Sequence, residues 1–164
     1  MEEKFAKPAI GAIIERMING KKRIIIQERW KEDGNETNGK YELPAGKIRE
    51  YENIYDTVRR EVLEETGLKV TKIQGEEDLI YSEETKTISF MPFYVTQNLE
   101  NAYSIIANHF ICEAEGEPIS ETNESRNIRW IEITELSDLL KKDKSKFFIM
   151  NVNAIEKYLK LNNL

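Results

Sequence analysis

The chain has 164 residues, 40% of them apolar and 33% charged, enough for one domain spanning residues 1-164 with a core that needs neither disulfide nor structural metal. Acidic residues outnumber basic ones 30 to 24, a formal charge of -6, so a bare polyanion meets net repulsion at long range and nucleic acid is excluded as the expected partner. The single cysteine, Cys112, rules out an internal disulfide and any zinc site built on several thiolates. With no apolar run near the roughly 20 residues of a spanning helix, it points to a reducing, cytoplasmic setting with no membrane partner.

Ala9 to Ile14 and Arg23 to Ile26 are short, Ile-rich segments separated by Asn19-Gly20, a dipeptide that favours a hairpin turn. The polar, glycine-containing stretch Lys31 to Lys40 reads as a loop, and Tyr41 to Leu43 as a brief strand stopped by Pro44. From Asn53 to Thr66 the pattern turns helical. Asn53 is placed to cap the N-terminus, and Gly67 stands where a left-handed residue ends a helix, with Leu68 set to contact Leu63. Strands are expected at Lys69 to Ile73, Leu79 to Ser82, Thr87 to Thr96, Tyr103 to Glu113 and Asn127 to Ile133. Two helices follow, Glu135 to Lys142 capped by Thr134 and Phe147 to Leu161. Strands, a helix, more strands and terminal helices imply an α/β fold with a mixed sheet flanked by helices.

The chemistry concentrates between Gly46 and Leu68. At about 100° per residue, Glu61, Glu64 and Glu65 fall within an arc of roughly 100° beside the apolar stripe of Tyr55, Val58 and Val62. Three like charges on one helix face repel, and Glu52 adds a fourth just before the helix. Such a patch at the lip of a buried face suits a hard divalent cation, above all Mg²⁺, which binds through a few carboxylates, waters and substrate phosphates. The cation would make an acidic patch attractive to phosphate, and metal-assisted attack of water on phosphorus follows as the reaction class.

The segment resembles the motif of the Nudix hydrolase family, G-x5-E-x7-R-E-U-x-E-E-x-G-U with U apolar. It matches at Gly46, Glu52, Arg60, Glu61, Val62, Glu64, Glu65, Gly67 and Leu68. At about one chance in ten per fixed position, seven identities arise by accident on the order of 10⁻⁷ per register. The resemblance implies a Nudix-type α/β/α sandwich around a central mixed β-sheet. It also implies hydrolysis of a phosphoanhydride in a nucleoside diphosphate linked to another group, with Mg²⁺ or Mn²⁺ as cofactor.

Carried onto this chain, the resemblance makes Glu61 and Glu65 the main metal ligands, with Glu64 beside them and the Ala45 carbonyl completing the site. Glu52 becomes a water-bridged or outer ligand, Arg60 an orienting partner for the carboxylates, and Gly46 the tight loop beside the metal. The general base is either Glu61 or a loop acid between Gly116 and Arg126, where Glu124 is favoured over Glu117 and Glu121. Arg29, at a strand end, is a candidate phosphate or base contact. His109, alone in an apolar strand, reads as structural.

The lead-in Glu42-Leu43-Pro44-Ala45-Gly46 resembles that of ADP-ribose and nucleotide-sugar pyrophosphatases, although their proline sixteen residues after the motif is replaced here by Glu84. The first expectation is therefore an ADP-ribose or nucleotide-sugar pyrophosphatase acting on a small nucleotide. The alternatives are a hydrolase of oxidised or non-standard (d)NTPs and a nucleotide-sensing module without catalysis. The sequence is silent on oligomeric state, although homodimers are frequent among similar proteins.

Overall fold

A computed structural model describes residues 3–32, 34, 36–100 and 104–164. Ten strands and three α-helices follow in chain order: β1 (Lys7–Ile18), β2 (Lys21–Arg29), β3 (Tyr41–Glu42), β4 (Ala45–Lys47), α1 (Ile54–Thr66), β5 (Lys69–Ile73), β6 (Ile80–Ser82), β7 (Thr87–Ser89), β8 (Tyr94–Gln97), β9 (Ile105–Glu115), β10 (Ser125–Glu132), α2 (Ile133–Lys142) and α3 (Ile149–Leu161). The main sheet runs β10-β2-β1-β9-β5, with β3 on β2, β4 on β1 and β8 on β9. All pairs are antiparallel except β1 with β9, which run parallel from Lys7↔Ile105 to Glu15↔Glu113, so the sheet is mixed.

Period-two alternation divides the apolar residues between two layers. Ile10, Ala12 and Ile14 of β1, Ile25 of β2 and Phe110 and Cys112 of β9 pack with Ile54, Tyr55, Val58 and Val62 of α1. Ile13, Ile24, Ile26 and Ile111 face the other way, onto Leu136 and Leu140 of α2 and Ile155, Tyr158 and Leu159 of α3. The result is the expected sandwich, a central mixed sheet between α1 and the α2–α3 layer. No helix among the described residues is long and apolar enough to cross a membrane.

Local chemistry explains the elements that hold the site. Asn53 caps α1, its side-chain oxygen accepting from the Tyr55 amide at 2.9 Å. Gly67 ends the helix in the left-handed region at φ 73, its N–H donating to the Leu63 carbonyl. Asn19 and Gly20 both take positive φ, 52 and 76, as a tight hairpin between β1 and β2 requires.

Several boundaries differ from the sequence reading. Ala9 to Ile14 is only the buried centre of β1; the strand continues through Glu15, whose backbone pairs with both Ile24 and Glu113. Thr87 to Thr96 is two strands, interrupted around Pro92, which has no N–H to donate to a ladder. A short strand, β4, begins immediately after Pro44 and pairs Gly46 with Ile10. Helix α2 begins at Ile133 with Glu132 at the cap position, so Thr134 lies inside it. Phe147 lies outside α3: it bridges Tyr41, while the Phe148 amide donates to the Tyr41 carbonyl at 2.8 Å, and the helix starts only at Ile149. Strand β10 starts at Ser125 and bulges between Arg126 and Arg129, with Asn127 at φ 48. Asp33 and Asn35 of the expected loop, and Tyr103 at the start of the expected strand Tyr103 to Glu113, lie outside the described residues.

Candidate active site

Strands β1 and β9, the lead-in to α1, one face of α1 and the start of α3 enclose a cavity of about 780 Å³. Its lining includes Ala45, Gly46, Arg60, Glu61, Glu64 and Glu65 from the motif segment. Arg29 and Lys31 from the end of β2, Glu124 from the loop before β10, and Ile105, Phe148 and Asn151 also reach it. Glu52 does not line the cavity.

Arg60 organises three of the four motif acids. Its guanidinium grips Glu52 through two bonds, Nε to Oε1 at 2.7 Å and Nη2 to Oε2 at 2.9 Å. Its Nη1 reaches Glu61 Oε1 at 2.5 Å and Glu64 Oε2 at 3.3 Å. Such forked, charge-assisted contacts fix orientation as well as adding energy. Arg60 therefore disperses the repulsion among the acids, and the hydrogen bonds from it hold the Glu52 carboxyl at about 2, well below the usual carboxylate range.

Glu61 is held close to the backbone of Gly46. A Cβ at residue 46 would fall 1.9 Å from Glu61 Cδ and 2.1 Å from Oε1, so only glycine leaves room for this carboxylate. Glu65 is buried and accepts from the Ala45 amide at 3.0 Å and from Gln27 Nε2 at 2.9 Å. Burial, reinforced by the nearby Glu42 carboxylate, pushes it up to about 7.

Glu42, Gln27 and Lys31 are site residues that sequence reasoning missed. Glu42 is buried on β3 and pairs with Arg29 Nη1 at 3.1 Å. Arg29 also donates from Nε to Thr37 at 2.9 Å and lies 4.6 Å above the Phe148 ring. Gln27 bridges the group, its amide nitrogen facing Glu65, Ser125 and Glu42. A charged residue alternating with apolar ones in a two-residue strand was the available signal, but its partner lies thirteen residues away.

His109 is fully buried at the cavity end. Asn151 uses Oδ1 to accept from the Leu43 amide at 3.1 Å, so its Nδ2, 3.3 Å from His109 Nε2, must be the donor. The imidazole is then neutral with its proton on Nδ1, and burial holds it down at about 4. Gly11 makes the arrangement sterically feasible, since a Cβ there would meet His109 Cδ2 at 2.6 Å.

Glu124 lines the cavity and pairs with Lys31. Glu117 instead lies 3.8 Å from Arg16, which is not among the cavity residues. Among the described residues no three carboxylate, imidazole or thiolate groups form a ligating cluster, and Arg60 holds Glu61 and Glu64. The donor chemistry nevertheless fits a hard divalent cation. All the candidate donors are oxygens, and the missing Cβ of Gly46 leaves a cradle at the Glu61 carboxylate.

Layered sheet, capped acidic helix and carboxylate-lined cavity together define an α/β domain with an acidic site, and comparison with known proteins makes this specific. The NUDIX domain model matches residues 7–149, and the chain belongs to the Nudix family. An 8-oxo-dGTP diphosphatase from Buchnera aphidicola subsp. Acyrthosiphon pisum (strain APS) is 36% identical over 74 residues, 42% of this chain; the match spans 60% of that relative's length.

Among solved structures, the NUDIX domain of Shewanella oneidensis NrtR in complex with ADP ribose superposes with a TM-score of 0.68 at 14% identity, covering 96% of this chain and 89% of that one. A MutT protein from Methanosarcina mazei Go1 gives 0.62 at 20% identity, covering 100% of both chains. These two likenesses establish the fold.

Proposed function

We propose that this protein is a divalent-metal-dependent hydrolase that cleaves a phosphoanhydride bond in a nucleoside diphosphate linked to another moiety, with ADP-ribose or a nucleotide sugar as its first substrates. The observation that carries this reading is a single cavity of about 780 Å³ lined by Glu61, Glu64 and Glu65 and also by Ile105 and Phe148. It offers oxygen donors for a cation and an apolar wall for the rest of a nucleotide.

Glu61, Glu64, Glu65 and the Ala45 carbonyl would hold a Mg²⁺ or Mn²⁺ ion, which would supply Lewis-acid polarisation of the phosphoanhydride and acidification of water. The chain's own residues do the remainder. Arg60 fixes the direction of the Glu61 and Glu64 carboxylates, with Glu52 anchoring Arg60 from outside the cavity. Glu124 takes the proton of the attacking water, with Glu61 as the alternative base. Arg29, held between Glu42 and Phe148, contacts the substrate beside the phosphates.

A second reading, hydrolysis of an oxidised nucleoside triphosphate, is favoured by the 36% identity over 74 residues to the 8-oxo-dGTP diphosphatase. A panel of ADP-ribose, nucleotide sugars, dinucleotides and (d)NTPs including 8-oxo-dGTP, assayed with Mg²⁺ and with products identified, separates the two. AMP and ribose 5-phosphate from ADP-ribose support the first; a nucleoside monophosphate and pyrophosphate from 8-oxo-dGTP support the second. Tight nucleotide binding with no turnover would establish a sensing module and refute both. Glu61→Gln and Glu65→Gln should each cut turnover by at least ~10²-fold in a folded protein, and near-normal rates would show the ligand set to be misplaced.

A further inference from the structure

We propose that Lys31 is a phosphate-binding residue of this cavity, and that substrate phosphate displaces Glu124 from it, so that binding uncouples the candidate base from its ion pair. This rests on the phosphoanhydride-hydrolase reading above. It assigns a role to a loop residue outside the motif.

Lys31 and Glu124 both line the cavity and pair with each other. Their backbones are anchored side by side at the adjoining ends of β2 and β10. Asn38 accepts from the Lys31 amide at 2.7 Å and donates to the Lys31 carbonyl at 2.8 Å. The Glu124 carbonyl accepts from the Trp30 amide at 2.7 Å, and a turn closed by Thr122 Oγ1, which accepts from the amides of Glu124 and Ser125, holds the residue from the other side. Two anchored, adjoining segments thus present their side-chain ends to each other at the cavity.

Beside Lys7, Lys47 and Arg49, the cavity is lined by Arg29, Arg60 and Lys31, which differ in how firmly they are committed. Arg29 is paired with Glu42, whose side chain is only 5% exposed, and Arg60 with Glu52, at 15%. Withdrawing either arginine would strand a carboxylate largely shielded from water, which is costly. Lys31 is itself only 26% exposed, but its partner Glu124 is 55% exposed and is readily hydrated when released. Burial, with the neighbouring Arg29 charge, holds the Lys31 ammonium below its ordinary range, opposed by the carboxylates of Glu65, Glu42 and Glu61. A phosphate group there brings more negative charge than one carboxylate and several acceptor oxygens, and it wins the exchange. Glu124, freed of its cation, is the better proton acceptor.

The test titrates inorganic pyrophosphate, with Mg²⁺, into the full chain by calorimetry, so that it reports on the phosphate contact whether or not any nucleotide is turned over. Lys31→Met should weaken binding about tenfold, equivalent to about 1.4 kcal/mol, and Lys31→Arg should stay within about threefold of the parent. Glu124→Gln should act in the opposite direction and tighten binding, because it removes the competitor for Lys31. Circular dichroism melts establish that each variant is folded. With a turned-over nucleotide from the panel, Lys31→Met should raise KM more than it lowers kcat.

Unchanged affinity in Lys31→Met, no measurable pyrophosphate binding by the parent, or weaker binding in Glu124→Gln would overturn the proposal. A parent that hydrolyses nothing in the panel, but shows the opposed effects of Lys31→Met and Glu124→Gln on pyrophosphate, would overturn the hydrolase reading and leave the exchange standing.

Discussion

Gly46→Ala is the smallest change that should disable the site. The new methyl would lie 1.9 Å from Glu61 Cδ, so the carboxylate must retreat by about 1.5 Å to reach ordinary van der Waals contact. A displacement of that size breaks the 2.5 Å bond from Arg60 to Glu61 Oε1. A hydrogen bond involving a charged group contributes about 1.5–3 kcal/mol. With both side chains mostly shielded from solvent, the expected loss is about 2 kcal/mol of folding stability. Turnover should fall at least ~10²-fold, because a carboxylate moved by an ångström no longer serves the reacting centre. Urea denaturation and steady-state kinetics measure the two effects. The sharper assay is a double-mutant cycle: on a Glu61→Ala background the obstructing carboxylate is gone, and Gly46→Ala should cost no more than about 0.5 kcal/mol. Strictly additive stability changes would refute the steric argument, as would normal turnover in Gly46→Ala.

Two further predictions concern stability. Since His109 is held neutral with its pKa near 4, below the ordinary 6.5, its contribution is complete above pH 6.5 and is lost as pH falls through 4. The unfolded chain gains that proton first, and protonation sets Nε2–H against the Asn151 amide. The parent should lose up to about 3 kcal/mol more than His109→Gln between those pH values, and parallel stability curves for the two proteins would disprove the assignment. Asn53→Ala removes the cap on the Tyr55 amide and should cost about 1 kcal/mol in urea denaturation; a change under about 0.3 kcal/mol would mean that the first turn of α1 is held by packing instead.

What was legible in the sequence was what local chemistry decides. Asn53 and Gly67 mark the ends of α1 through contacts two to four residues away, and the acid spacing put Glu61, Glu64 and Glu65 on one face. The Ile-rich runs of β1 and β2 marked strands, whereas the division of their residues between two layers emerges only from the packing. Where long-range contacts decide, local signals misled. Thr134 has the right chemistry for a cap, but α2 begins earlier, where β10 delivers the chain at Glu132. Phe147 suits a helix start, but it is taken by a bridge to Tyr41, more than a hundred residues back. The site divides the same way. Motif spacing identified the carboxylates, whereas Arg60's division of them, with Glu52 drawn outside the cavity, emerges only from side-chain geometry. Glu42 and Lys31 owe their places to strand ends and loops that converge in space.

The parallel pairing of β1 with β9 has a kinetic consequence. Nine consecutive register pairs, Lys7↔Ile105 through Glu15↔Glu113, join residues about a hundred positions apart, and parallel contacts of such separation form late because a long loop must close first. The cavity draws part of its wall from each of these two strands, Ile10 from one and Ile105 from the other. During synthesis the motif helix is therefore complete while the strand that encloses it has yet to be made. Until β9 is inserted, the apolar stripe of Tyr55, Val58 and Val62 lacks Phe110 and Cys112, and this interval is when the nascent chain is most exposed to misassociation.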